Sequence, residues 1–285
     1  MPVTVHHPLA DSLYHPISTP IQVNVYLDSF NGPPPPRDGS MRIYVQCESS
    51  GVVDPHPYLR RYANEYDIIV VFDPDRLGLP NGRKKIEGGS WIPREIYTQI
   101  DTSKKTFSVS NVTGSKAFAP GHNLRHALYN AQRQFDSFPV TFFRSGAGDP
   151  LPVLGNNPIL ESKGCCSASG PSKMPLFETF QFSIVIENNR ERNYFTEKLI
   201  DCVVTKTIPI YWGCPNIGDY FDTSGWILLG DDIVNSLRAG LSTLDAGYYQ
   251  RHIDVVNANY ERAVAIADYK DTYTNAILPH IPRQE

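Results

Sequence analysis

Between residues 180 and 213 the chain gathers the residue types that can hold a charged nucleotide. The run Phe182-Ser183-Ile184-Val185-Ile186 is mostly β-branched or aromatic and predicts a strand. Glu187-Asn188-Asn189 then turns polar, and Thr196 is a residue type that caps a helix, with Glu197 and Lys198 in the first turn. Ile208-Pro209-Ile210-Tyr211-Trp212 predicts a second buried strand, closed by Gly213. A strand–helix–strand unit with ionic groups at the helix mouth makes the crevice in which open α/β sheets bind nucleotides. A helix N-terminus and the Lys198 ammonium both favour an anion, so a diphosphate fits. Glu197 would repel a phosphate and suits a ribose diol instead. Plainer readings stand beside these. Lys198 can be a solvated lysine, although in a first turn it opposes the helix dipole, and Glu197 can simply complement that dipole. Tyr194 can stack on a base or pack in the interior.

Asn188, the run Tyr194-Phe195-Thr196-Glu197-Lys198 and the run Thr207-Ile208-Pro209-Ile210-Tyr211-Trp212-Gly213 together resemble the signature of the α1,3-fucosyltransferases, glycosyltransferase family 10. The resemblance implies an α/β GT-B fold, two Rossmann-like lobes facing a nucleotide-sugar cleft, with GDP-fucose held by the C-terminal lobe. It implies nucleotide-sugar binding by Asn188, Tyr194, Glu197 and Lys198. Ser110-Asn111 followed by Arg125, on a helix expected over 123–135, resembles the family's strand–loop–helix with its phosphate-binding arginine. Read alone, a mid-helix Arg125 is as readily a surface ion-pair residue. Glu48, directly after Val45-Gln46-Cys47, resembles the family's catalytic glutamate, the family's Gly-Glu-Asn reading Cys47-Glu48-Ser49 here.

Composition agrees with such an enzyme. The 285 residues are enough for two α/β lobes, and 41% hydrophobic with 20% charged residues is ordinary for a soluble globular protein. A net charge of −4 gives no bulk attraction to nucleic acid or anionic membrane. No apolar run approaches the roughly 20 residues that span a bilayer. The N-terminal residues lack the basic region and apolar core of a signal peptide. Golgi fucosyltransferases carry an anchor and a stem, so this sequence predicts an enzyme of a bacterial cytoplasm, or of a host cytoplasm if viral. The five cysteines, Cys47, Cys165, Cys166, Cys202 and Cys214, are odd in number and form no C-x-x-C, which suits a reducing compartment. Cys202 is expected as a small buried apolar residue, and Cys165-Cys166 falls in a glycine- and serine-rich loop. The eight histidines show no ligand spacing beyond His6-His7, in a terminus expected to fray. No cofactor or metal is expected.

The positioning elements divide at a polar stretch, 100–105. In an N-terminal lobe, 1–103, strands are expected at 21–27, 41–47 and 67–72, with a short strand at Trp91-Ile92 and a helix or turn at 54–66. Pro33-Pro34-Pro35-Pro36 is a stiff surface loop. In a C-terminal lobe, 104–285, strands are expected at 106–110, 140–143 and 226–229 around the signature unit. Ile253, Val256, Tyr260 and Val264 have helical spacing. The resemblance implies that the last helix packs back on the first lobe.

These elements decide between rival carboxylates. Asp73-Pro74-Asp75 ends a strand as metal-dependent transferases require, and two such carboxylates can share a hard cation. The same tripeptide composes an ordinary turn, which is favoured here. Among first-lobe acids Glu48 has the best place for a base, at the C-terminal end of its strand. Glu65 and Glu87 fall in a helix and a basic loop, Asp67 begins a strand, and Asp73 is the nearest rival. The reading is an inverting glycosyltransferase that moves L-fucose from GDP-fucose to a glycan hydroxyl. Arg125 and Lys198 would face the leaving diphosphate and Glu48 would take the proton. The alternatives are a different donor, such as a UDP-pentose, or a non-catalytic nucleotide- or glycan-binding module.

Overall fold

The computed structural model describes residues 1–6, 14–28, 32–86, 88–146, 149–161 and 170–282. His7, Glu87 and the Cys165-Cys166 pair lie outside the described residues. The first sheet is parallel throughout and runs in chain order: β1 (Val3–His6), β2 (Val23–Leu27), β3 (Met41–Val45), β4 (Ile68–Val71) and β5 (Gly82–Lys84). The middle strands are buried on both faces because the sheet is covered on both, and they are mostly apolar, with Arg42 the charged exception in β3. Asn24 is the polar exception in β2, and it bonds His6 Nε2 at 3.0 Å and Ser40 Oγ at 2.7 Å. The terminus expected to fray is therefore an edge strand, with the His6 ring stacked on Tyr26 at 4.5 Å.

The second sheet is also parallel. It contains β6 (Thr106–Thr113), β7 (Val140–Ser145), β8 (Ile159–Leu160), β9 (Phe180–Ile186), β10 (Ile208–Trp212) and β11 (Ile227–Leu228), in spatial order β11-β10-β9-β6-β7-β8. Counted from β8 the sequence of strands is third, second, first, fourth, fifth, sixth, the doubly wound order of a dinucleotide-binding sheet. Strand order reverses between β6 and β9, and ligands of such sheets bind beyond the C-terminal ends of the two strands at that point. Lys105, at the end of the polar boundary, is buried beneath this sheet. Its Nζ donates to the carbonyls of Phe177 at 2.6 Å and Phe180 at 3.1 Å and to Thr207 Oγ1 at 2.8 Å, and burial pulls it down to about 7.

Three expected elements are corrected. Trp91-Ile92 forms no strand, because its N–H groups turn to the buried carboxylate of Asp201, at 2.7 Å from Trp91 and 3.4 Å from Ile92. The helix expected over 123–135 starts earlier, at Pro120, whose fixed φ and missing N–H suit a first turn; it ends at Asn130, before a tighter turn Gln132–Phe135. The helix of Ile253 and Val256, Ile253–Val264, packs into the core of the second lobe. A further helix, Tyr269–Ile277, capped by Asp268, crosses to the first sheet and lays Tyr273 and Ile277 beside Val23, Val25, Ile43 and Val45. Among the described residues no helix is long and apolar enough to cross a membrane.

Ile277 is 0% exposed in that contact. Ile277→Ala is expected to lower stability by about 2–5 kcal/mol, read from the urea midpoint. A loss under about 1 kcal/mol would show that the returning helix is not part of the first sheet's core.

Candidate functional site

Beyond the ends of β6 and β9 the two lobes enclose an open cleft of about 580 Å³, within the range of small-molecule sites. Its second-lobe wall is built outward from Glu187, which directly follows β9 and is 0% exposed. The Glu187 carboxylate accepts the Thr196 N–H at 2.9 Å and the Thr196 hydroxyl at 2.8 Å. That fixes Thr196 as the cap of the helix Glu197–Val204, its Oγ1 accepting from the Lys198 N–H at 3.4 Å. The Lys198 ammonium folds back over this helix end. It donates to Thr196 Oγ1 at 3.0 Å, pairs with Glu197 Oε1 at 3.1 Å and stands 3.8 Å from Glu187 Oε2.

Charge states follow from this packing. Burial pushes the Glu197 carboxyl up, but Lys198 and Lys173 more than reverse it and leave it at about 2. Burial opposes the Lys198 charge, yet Glu197 and Glu187 raise it above an ordinary lysine. Burial raises Glu187, with Lys198 pulling against it. Glu197 and Lys198 thus hold each other's charge, and this pair is ionised at neutral pH.

Arg125 joins it from the helix Pro120–Asn130. Its Nη2 donates to Asn188 Oδ1 at 2.7 Å and its Nε to the Gly121 carbonyl at 3.1 Å, so the guanidinium lies over the crevice and not on the outer surface. Gly121 makes that approach possible. A Cβ there would stand 1.7 Å from the Glu187 carbonyl oxygen, and the Gly121 N–H donates to the Asn188 carbonyl at 3.0 Å. His122 follows on the cleft wall; burial and Arg125 pull its imidazole down to about 4, so it is neutral, with Nδ1 accepting the Ala119 N–H at 3.1 Å.

Glu48 enters from the first lobe, exposed at the cleft just beyond β3. The protein around it displaces water and raises its carboxyl, while Lys198 lowers it and Glu197 raises it, which places these charges in one electrostatic field. The lobes are clasped beside the cleft. Glu191 accepts the Ser50 N–H at 2.8 Å and its hydroxyl at 3.0 Å, and Asn193 Nδ2 donates to the Phe72 carbonyl at 2.6 Å. Tyr194 is 1% exposed and meets the Phe72 ring edge-on at 5.1 Å, so it packs at the lobe junction while bordering the cleft. Asp73 caps a short helix, Pro74–Leu77, by accepting the Arg76 N–H at 3.3 Å, and neither Asp73 nor Asp75 lines the cleft. His15, Asp268 and Asp271 bring ligand atoms within 4.8 Å on the exposed side of the last helix, where His15 pairs with Asp271 and Asp268 is the helix cap.

No family model matches the chain. An α-(1,3)-fucosyltransferase of Helicobacter pylori, FucT, is 30% identical over 112 residues. Over that stretch the chain is similar in sequence to an α1,3-fucosyltransferase. The match takes in 39% of this chain and spans 20% of the Helicobacter pylori protein's length. Among solved structures, TarM is similar with a TM-score of 0.54 and 11% identity, over 88% of this chain and 53% of its own. A UDP-forming α,α-trehalose-phosphate synthase from Burkholderia xenovorans is similar with a TM-score of 0.52 and 11% identity, over 90% of this chain and 73% of its own. With the two parallel sheets, these likenesses establish the α/β GT-B fold.

The expected residues Asn188, Glu197, Lys198 and Arg125 gather on one wall, with Tyr194 behind them and Glu48 opposite. Asp28, Gly121, His122, Trp91 and Lys173 were not foreseen. Lys173 pairs with Asp201 at 2.6 Å and covers the Trp91 ring at 4.0 Å. Only Gly121 left a sequence signal, the Pro-Gly pair at a helix start. Gly121→Ala is expected to cost about 1–3 kcal/mol by forcing the helix off the Glu187 carbonyl. Gly218, with nothing within 4 Å of its added Cβ, is the control. Equal urea midpoints for Gly121→Ala and Gly218→Ala would contradict the close approach.

Proposed function

We propose that the protein is an inverting glycosyltransferase that moves a sugar, most simply L-fucose from GDP-fucose, onto a glycan hydroxyl without a metal. The observation that carries this reading is the opposition of charges across one cleft: Arg125 and Lys198 on the second-lobe wall, Glu48 on the first. The sequence relationship to a fucosyltransferase supports it over 112 residues.

In this reading the diphosphate lies at the N-terminus of the helix Glu197–Val204, beneath the Arg125 guanidinium. Asn188 holds the guanidinium fork, and Glu197 meets the ribose hydroxyls. The bond from C1 to the phosphate oxygen breaks and its electron pair stays on the diphosphate, where Arg125 and Lys198 stabilise the growing charge. The acceptor oxygen bonds to C1 from the opposite face as Glu48 takes its proton. The protein around Glu48 raises its carboxyl above an ordinary glutamate, so it binds the acceptor proton more tightly, as suits a base. Two cations and a helix end serve the diphosphate, so no cation is needed from Asp73 and Asp75, which sit elsewhere. A different donor, such as a UDP-pentose, would use the same wall with a changed base and sugar pocket. The ion cluster around Lys198 favours turnover over a non-catalytic binding module. Among the described residues, free Cys202 and Cys214 accord with a reducing compartment such as a cytoplasm.

A thermal-shift panel of GDP, UDP, CMP and their sugars, with and without EDTA, tests the reading. GDP is expected to stabilise most, by about 2.7 kcal/mol at ~100 times its Kd, and EDTA to change nothing. A larger shift with UDP would overturn the donor assignment, and loss of binding in EDTA would overturn metal independence.

A further inference from the structure

Asp28 directly follows β2 with a φ of 49°, in the left-handed region that aspartate and asparagine enter more readily than other side chains. Its N–H donates to the Val45 carbonyl at 3.0 Å, and its own carbonyl accepts from Tyr44 Oη at 3.3 Å. The backbone so held turns the carboxylate toward the end of the neighbouring strand. There Oδ1 accepts the Cys47 N–H at 2.7 Å and Oδ2 accepts the Glu48 N–H at 2.6 Å. Both oxygens thus grip two successive peptide groups of the segment that presents Glu48. The same segment is held again by Gln46 Nε2, which donates to the Glu48 carbonyl at 3.0 Å, and by Lys85 Nζ, which donates to the Gln46 carbonyl at 3.0 Å. Asp28 itself borders the cleft. Its two short bonds direct it to the backbone and leave the acceptor proton to Glu48.

We infer that Asp28 is a positioning residue: its ionised carboxylate clamps the Cys47 and Glu48 peptide groups and sets where Glu48 stands in the cleft, and protonation opens the clamp. The inference rests on the reading of Glu48 as the base.

Among the described residues four groups face this carboxyl. Cys47 and Glu48 lie on the clamped segment, Tyr44 comes from β3, and the Lys85 ammonium follows β5 and lies 4.1 Å from the Tyr273 ring of the last helix. Burial pushes Asp28 up to about 7, while the two N–H bonds and Lys85 pull it down and Glu48 pushes it up. A protonated carboxyl presents an O–H donor toward one of two N–H donors, so a bond is lost. For stability the sign is the reverse. A carboxyl raised above its unfolded value, ~3.9, favours folding at low pH and loses that contribution as pH rises toward about 7. The clamp closes, then, where it helps the fold least, as expected of a group retained for placement and not for stability.

Amide NMR of the intact chain across about pH 5 to 9 tests this, in wild type, Asp28→Asn and Glu48→Gln. The Asp28→Asn change would keep the backbone preference but oppose one N–H with a side-chain NH₂. The Cys47 and Glu48 amide signals are expected to move together, with a midpoint at about 7 in wild type and at a lower pH in Glu48→Gln, and to stay flat in Asp28→Asn. Signals that are flat in wild type, or whose titration vanishes with Glu48→Gln and survives Asp28→Asn, would overturn the clamp. In GDP release from GDP-fucose with a glycan acceptor, Asp28→Asn is expected to lower kcat about tenfold or more with the donor KM near wild type. An unchanged kcat would overturn the positioning role. Absence of transfer by the wild type would defeat the proposed function instead, and the amide titration would still decide the clamp.

Discussion

A carboxylate sealed in the second lobe, Glu187, is the constraint on which the site depends. Both its oxygens hold Thr196, Thr196 caps the helix that carries Glu197 and Lys198, and Lys198 folds back toward Glu187. Removing one member would leave a buried charge without compensation, so the cluster stands as a unit. The backbone makes room for it on two sides. Gly121 meets the Glu187 carbonyl, and a Cβ on Gly213 would stand 2.6 Å from Glu187 Cγ. Through Asn188, the residue after Glu187, the same corner reaches the Arg125 guanidinium. A strand end, two helix starts and three ionised side chains therefore meet at the point where strand order reverses.

A charged wall does chemistry only if the opposite wall is held at a fixed distance. Asp201, on the helix that begins at Glu197, reaches across to Ser90 and to the Trp91 and Ile92 N–H groups. Glu191 and Asn193 hold Ser50 and Phe72. The helix Tyr269–Ile277 returns to the first sheet and borders the cleft with Tyr269 and Tyr273. Glu48 thus sits on a segment tied from both lobes, by Glu191 of the second through Ser50 and by Asp28 of the first.

The signature unit was legible because its determinants are consecutive: an apolar strand, a cap, two charges and another apolar strand within one stretch of chain. Arg125 was legible through the family resemblance, although its helix began earlier than the apolar pattern indicated. What sequence could not supply are partners joined only by folding. Asp28 and Cys47 are 19 residues apart, Lys173 and Asp201 are 28, and Ser90 and Asp201 are 111. Trp91-Ile92 looked like a strand because its N–H groups' acceptor lies on the other lobe. Edge strand β5, Gly-Arg-Lys, has no strand propensity of its own and is specified by pairing with β4. The last helix is mostly polar, with only Tyr273, Thr274 and Ile277 buried, so its period was faint.

In the proposed reaction one carboxylate, Glu48, faces a leaving group held on the other wall, so that transfer is a single displacement. The most direct measurement is the anomeric configuration of the first product formed from GDP-fucose, read by proton NMR before any equilibration. The expected product has a configuration at C1 opposite to that of the donor. Retention would require a nucleophile on the donor's own face or a double displacement, and would contradict the placement of base and leaving group on opposite walls.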